Sequence, residues 1–425
     1  MGAGRSAGSS SALGSSPVLR ALAALTAVMV VAACGDSGSE SSADSPAEAV
    51  EIGAEALQIL GTSESLTLVR DLEIDADGTV WVLDDAAPFF VGFGPDGTVV
   101  GPLGQSGGGP QEFRNPVTLV RPGGQGADGI WTYDRARHAM VRVTGGGLES
   151  AAAVGSEAVG LPNETVTPQM LLSRDAGMPG PLAWVDGGGG SVFVMYPPND
   201  LPNGLAFWRS RIAELSLAEG SLAERWDLSE LLEDPAAQYP GATDWLPVPL
   251  LAVCPDGQGW MYDPSSHTVR ALAGEGTPNV AETRAFDLPP ARRMPFTADR
   301  MFEVMLPRII EEVPSDQRPP DDELREFFLV QMADVFEEFA EVFPEYHSLR
   351  CGADTALWLQ NFEWDSGSGG QGWSWVRIPL DDEVGLPQVI RFPDGFVAMR
   401  FTADRAWGIV RDEFDVPSVA WVALP

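Results

Sequence analysis

Residues 75–85 read DADGTVWVLDD. The Asp-Gly pair supplies the positive-φ positions of a tight hairpin turn. The run after it carries an aromatic or β-branched side chain at alternate positions, the spacing at which a strand presents one face to a core. The same phrase returns along the chain as GADGIWTYDRA (126–136), GGGGSVFVMYPP (187–198), PDGQGWMYDPS (255–265), GADTALWLQNF (352–362) and TADRAWGIVRD (402–412). The aromatic markers are Trp81, Trp131, Phe193, Trp260, Trp358 and Trp407, at steps of 50, 62, 67, 98 and 49 residues.

Around each phrase lie two or three further strand candidates, so each unit is a meander of about four antiparallel strands. After Trp81 comes FFVGFGPDGTVVGPLG (89–104), a hairpin with its own Asp-Gly turn. Gly 47 and Pro 35 are spread along the chain, as turns between many short strands require. A four-stranded meander cannot cover its own apolar faces, but six stacked around an axis can. The expected fold is all-β, a six-bladed β-propeller. Its last unit offers three strands before the chain ends, and ALQIL (56–60), just ahead of the first unit, supplies the fourth. N- and C-terminal strands then share one sheet, and the exposed edge disappears. Two separate β domains are the alternative arrangement.

The 98-residue step holds an insertion, 297–346, that breaks the strand pattern. In DDELREFFLVQMADVFEEFAEVF (321–343), Leu324, Phe328, Met332, Val335, Phe339 and Val342 recur every three or four residues, one face of a helix. ADRMFEVMLPRIIEEV (298–313) reads as a second, Pro-interrupted helix, making a helical hairpin between blades four and five. Its apolar stripe requires a partner surface, most simply the propeller itself.

The N-terminus carries an address. Residues 1–33 contain Arg5, Arg20 and no acid, and ALAALTAVMVVAA (21–33) is too short to span a bilayer comfortably. A charged start, a short apolar run and small residues before a cut describe a secretory signal. Val31-Ala32-Ala33-Cys34 resembles the bacterial lipobox, which implies lipidation at Cys34. Residues 34–54 then form a Ser-, Gly- and acid-rich tether with little to bury, expected to be disordered. The body is 55–425. Gly35, rather than Asp, after the Cys implies sorting to the outer membrane in a two-membrane bacterium.

The formal net charge is −35, and every basic residue is Arg. That balance argues against nucleic acid, whose phosphates need cationic partners. It also leaves membrane contact to the lipid. Solubility accounts for the acidity without a dedicated docking face.

The segments DLEIDADGTVWVLDD (71–85), GPLGQSGGGPQEFRNP (101–116) and GIVRDEFDVPSVAWVALP (408–425) resemble six-bladed propellers of the NHL-repeat type, as found in bacterial lipoproteins. Gln111-Glu112-Phe113 and Pro116 are similar to that family's inter-blade signature. The resemblance covers 55–155 and 345–425, and the middle through periodicity alone. It implies a fold rather than one activity.

Catalytic constellations are sparse. Propeller lyases of the NHL type use His-ligated zinc, but His138, His267 and His347 lie far apart in sequence, and they read as surface residues. Propeller lactonases hold calcium with axial acids and amides. Asp75 and Asp77 read as turn residues, although calcium ligands from six distant loops remain an open alternative. GQSGG (104–108) falls in a Gly-rich link rather than a nucleophile elbow, and GGGG (187–190) enters a strand without the Lys-Ser/Thr of a phosphate-binding loop. Neither metal nor cofactor is expected. Cys254 and Cys351 both end the first strands of neighbouring units; an oxidising compartment permits their pairing, while two buried free thiols are the expectation. WDSGSGGQGWSW (364–375) places Trp364, Trp373 and Trp375 around a Gly-Ser loop, where they would stack a sugar or grip a peptide, or else pack between blades. The expected function is a monomeric, non-catalytic binding or scaffold module for an envelope protein or glycan. A divalent-metal-dependent hydrolase or lyase is the alternative.

Overall fold

A computed structural model describes residues 49–425 except 110–111, 122–128, 135–138, 145–146, 154–158, 162–163, 167–183, 188–190, 197–207, 217–220, 234–248, 255–256, 273–284, 290–301, 303–319, 337–344, 362–373 and 381–385. Cys34, His138, Trp364 and Trp373 fall outside the described residues, as does the first helix of the expected hairpin apart from Phe302.

The chain is an all-β propeller. Four of its sheets are consecutive four-stranded antiparallel meanders. Sheet 1 runs Val69–Ile74, Val80–Asp84, Phe90–Phe93 and Val99–Leu103. Sheet 2 runs Pro116–Val120, Ile130–Asp134, Ala139–Thr144 and Gly147–Ala153. Sheet 3 runs Trp184–Gly187, Ser191–Tyr196, Arg211–Ser216 and Leu222–Asp227. Sheet 4 runs Leu250–Val253, Gly259–Asp263, Thr268–Ala271 and Ala285–Asp287. Sheet 5 runs Tyr346–Cys351, Ala356–Asn361, Ser374–Pro379 and Gln388–Arg391, with Val50–Glu51 added in parallel at its edge. Sheet 6 runs Phe396–Phe401, Arg405–Arg411 and Pro417–Ala423, and Gln58–Thr62 from the other end of the chain pairs antiparallel with its third strand.

Each recurring phrase forms the second strand of its sheet, and five of the six aromatic residues, all but the half-buried Trp131, pack toward the next sheet. Trp81 lies with Leu119, Ile130 and Val141 of sheet 2, and Phe193 with Leu251, Val253 and Met261 of sheet 4. Trp260 lies with Leu349 and Leu357 of sheet 5, and Trp407 with Leu72, Val82 and Val91 of sheet 1. Trp358 stacks on Phe401 of sheet 6, centroids 4.0 Å apart and 2° from parallel. Strand alternation explains the pattern. Trp81 and Leu83 face sheet 2, whereas Val80 and Val82 on the same strand face sheet 6. Both faces of the second strands of sheets 1, 4, 5 and 6 are therefore apolar, and the core is a set of wedges between sheets. Gly92 makes room for this packing, since a Cβ there would sit 3.1 Å from the Trp81 ring.

Two expectations change. The stretch 49–54, expected as tether, already belongs to the body. Val50, Ile52 and Leu57 pack on the core between sheets 5 and 6, burial that a Ser-Gly spacer could not provide. Trp375, expected on a ligand-facing loop, is a core residue, 1% exposed and edge-on to Phe401 at 4.9 Å. Ser374 opens a strand, so the indole three residues past the last Gly faces inward.

Between sheets 4 and 5 lies the one α-helix among the described residues, α1 (Asp321–Phe336). Leu324 and Phe328 on its expected inner face are buried, with Phe328 against Phe302 at 5.6 Å. Phe327 and Val330, off that face, are exposed. No helix among the described residues is long and apolar enough to cross a membrane.

Candidate functional site

Polar chemistry gathers at two places. The first is on the first strands of the sheets, which lie against one another in turn from sheet 1 through sheet 5, with sheet 6 returning to sheet 1. Asp71 and Glu73 on sheet 1 are both buried. Arg400 of sheet 6 lies 3.0 Å from Asp71 and 2.6 Å from Glu73, and its Nη2 donates to the Leu119 carbonyl of sheet 2 at 3.2 Å. Thr118 Oγ1 and the Leu119 N–H donate to Asp71 at 2.6 and 2.9 Å. Burial opposes ionisation of Asp71. Arg400 and Arg350, together with the bonds from Thr118 and Leu119, overcome it and hold its pKa below the ordinary value. Among the described residues no group of three or more His, Cys, Asp or Glu is placed to hold a metal ion. The two buried carboxylates already face a guanidinium, so this donor set does not fit a divalent cation.

The second place is the seam between sheets 4 and 5. Cys254 and Cys351 form a disulfide there, Cα atoms 5.3 Å apart, which corrects the expectation of free thiols. The first strands of sheets 4 and 5 lie side by side and run in the same sense, so their ends meet. Beside the starts of those strands sit His267, Glu345, Tyr262 and Tyr346. His267 Nδ1 is 2.6 Å from Glu345 Oε2, and Tyr262 donates to the same oxygen at 3.0 Å. Burial, with Glu345 beside it, pushes the Tyr346 hydroxyl well above the usual tyrosine range. His267 is therefore not a free surface histidine. The acid it meets, Glu345, comes from beyond the insertion and carries no local signal in the sequence around His267.

The remaining candidates are structural. Asp75 and Asp77 accept backbone N–H groups of Ala76 and Thr79, closing their turn. In 104–108, Gln105–Ser106 pairs in parallel with Glu112–Phe113, and Gly104 lies against Phe90 and Phe113, a crossing between sheets.

No family model and no curated protein matches the chain. Solved structures similar to it include a selenomethionine-substituted virginiamycin B lyase from Staphylococcus aureus (13% identity, 87% of this chain and 99% of that one, TM-score 0.41). Others are XC5397, a gluconolactonase from Xanthomonas campestris (14%, 89% and 97%, TM-score 0.38), and regucalcin, a calcium-binding protein from Agrobacterium tumefaciens (11%, 88% and 96%, TM-score 0.40). The superpositions are loose, and the fold rests on the chain's own sheet order.

Proposed function

We propose that this chain is a lipid-anchored, extracytoplasmic propeller that binds an envelope protein or glycan without turning it over. On this reading the five-stranded sheet and the five four-stranded ones are six blades of the NHL-repeat type, with a helical insertion between the fourth and fifth. Cys34 carries the lipid, in the outer membrane of a two-membrane bacterium, and the body is monomeric. The observation that carries the non-catalytic reading is Arg400, which neutralises both buried acids of the sheet 1 first strand. A metal-dependent propeller hydrolase needs such carboxylates for its cation. With Trp375 in the core, Trp364 and Trp373 are the proposed ligand-stacking residues.

Two measurements test this. Purified protein should retain no stoichiometric calcium or zinc after dialysis; retention of either would favour the metal-dependent hydrolase or lyase. Cys34→Ser should move the protein from the membrane to the soluble fraction, and a variant that stays membrane-bound in high salt would overturn the anchor.

A further inference from the structure

The turn joining the second and third strands of sheet 6, residues 412–416, holds a phenylalanine out in solvent. Phe414 is 77% exposed, more than any other aromatic side chain among the described residues. The turn beneath it is closely bonded. Asp412 Oδ1 accepts the N–H groups of Phe414 and Val416, each at 2.9 Å. The Asp415 N–H donates to the Asp412 carbonyl at 3.0 Å, and the Asp412 N–H to the Val416 carbonyl at 3.2 Å. Asp415 is left-handed, φ 63°, a conformation that Asp tolerates better than most residues. Arg411 Nη1 donates to the Asp415 carbonyl at 2.9 Å and lies 3.0 Å from its carboxylate. The backbone therefore sets where Phe414 stands, and docking on it costs little ordering entropy.

The same guanidinium reaches a second segment. Arg411 Nη2 donates at 3.3 Å to the Thr67 carbonyl, in the link 63–68 that leads from the fourth strand of sheet 6 into sheet 1. That link is fixed as well. The Thr67 N–H and Oγ1 donate to the buried Asp84 at 2.7 and 2.6 Å, and the Asp85 N–H donates to the Leu68 carbonyl at 3.0 Å. Leu68 is 52% exposed, and Val416 is exposed too. Arg411 thus gathers three water-facing apolar side chains where sheet 6 meets sheet 1, and all three gain by burial.

Their surroundings are acidic. Arg411 is matched by Asp415, and Arg70 by Asp85. Glu64, Asp412 and Glu413 have no cationic partner among the described residues. That sign selects the occupant, because like charges across an interface repel and opposite ones fix its register. A second copy would bring the same three acids on a chain of net charge −35. The chain's own segment 35–48 carries Asp36, Glu40, Asp44 and Glu48 and no base. An anionic bilayer is repelled likewise. A basic segment is attracted.

We propose that 63–68 and 412–416 form a docking surface for a basic segment of a partner protein. An apolar side chain of that segment packs on Phe414, Leu68 and Val416, while its flanking Lys or Arg face Glu64, Asp412 and Glu413. This rests on the binding reading above and narrows its ligand from an envelope protein or glycan to a protein with a cationic, apolar-tipped segment.

The test screens the full-length chain, in detergent, against a library of short random peptides near physiological salt. Selected peptides should combine Lys or Arg with Leu, Ile or an aromatic residue. Phe414→Ser leaves every charge in place and should weaken them about tenfold or more, as loss of an aromatic anchor does. Glu413→Lys leaves the phenylalanine in place and should weaken them while flattening their salt dependence. Leu68→Ser is a second anchor variant should Phe414→Ser fail to fold, and unchanged affinity there counts against the proposal equally. Peptides that bind Phe414→Ser as tightly as wild type overturn the docking surface and leave the binding reading standing. The same holds if the selected peptides are acidic or uncharged. Phe414-dependent self-association in sedimentation overturns it too, by making a second copy the occupant. If no peptide is selected the proposal fails, and a glycan array then judges the broader reading: a bound glycan keeps it, and none sinks both.

Discussion

Arg400 reaches out of sheet 6 to two acids of sheet 1 and a carbonyl of sheet 2. Its removal would strand two buried negative charges, which costs far more than the loss of a surface pair. Arg400→Met should therefore lower unfolding stability by about 3–5 kcal/mol in a denaturant titration near neutral pH. The deficit should also shrink in acid. Asp71 has a lowered folded pKa, so its ionised form contributes stability above the unfolded value of about 3.9, and that contribution fades as pH falls through the folded value. Arg400→Lys keeps the charge but gives up the planar fork that spans both acids, and should fall between the two. None of this was legible beforehand. Arg400, Asp71 and Glu73 are charged residues in strand-like runs more than 300 positions apart, and only ring closure makes them neighbours.

Helix α1 shows how far a pattern carries at the level of an element. The spacing of Leu324 and Phe328 gave the inner face correctly, because an amphipathic helix writes its burial into consecutive turns. Phe328→Ala should cost about 3–5 kcal/mol of local stability, read as faster exchange across Asp321–Phe336. Phe327→Ser, on the exposed side, should change it by no more than about 0.5 kcal/mol. Strands were legible in the same way, since each recurring phrase is a turn followed by alternation. What a strand does not encode is its lateral neighbour. Trp375 therefore read as a loop residue, because its Gly-Ser approach is visible in sequence and Phe401 is not. The cysteines fell at the correct strand ends for the same reason, while their pairing depended on two first strands lying side by side.

The whole molecule depends on sheet 6 borrowing Gln58–Thr62 from the N-terminal end. Deleting 55–61 should strip most of that strand, leave Pro417–Ala423 as an unpaired edge and remove Leu57 from the core between sheets 5 and 6. A lower melting temperature with concentration-dependent aggregation is the expected result, and an unchanged melting curve would argue against closure by these residues. The leftover strand ahead of the first repeat and the three-strand last unit made this closure readable from sequence. The early start of the body at Val50 was not, because two pairing residues on a sheet edge leave too faint a pattern beside a Ser-rich run. Closure by distant ends also imposes a schedule. A chain synthesised from its N-terminus produces Gln58–Thr62 about 355 residues before its partner Pro417–Ala423. At ~5–20 residues per second that is a wait of roughly twenty to seventy seconds. Throughout that interval the ring is an open arc, with an apolar wedge uncovered at each end. One of the first strands made is thus among the last to be placed, and the nascent chain's exposure to proteases and to other chains is governed by its final residues.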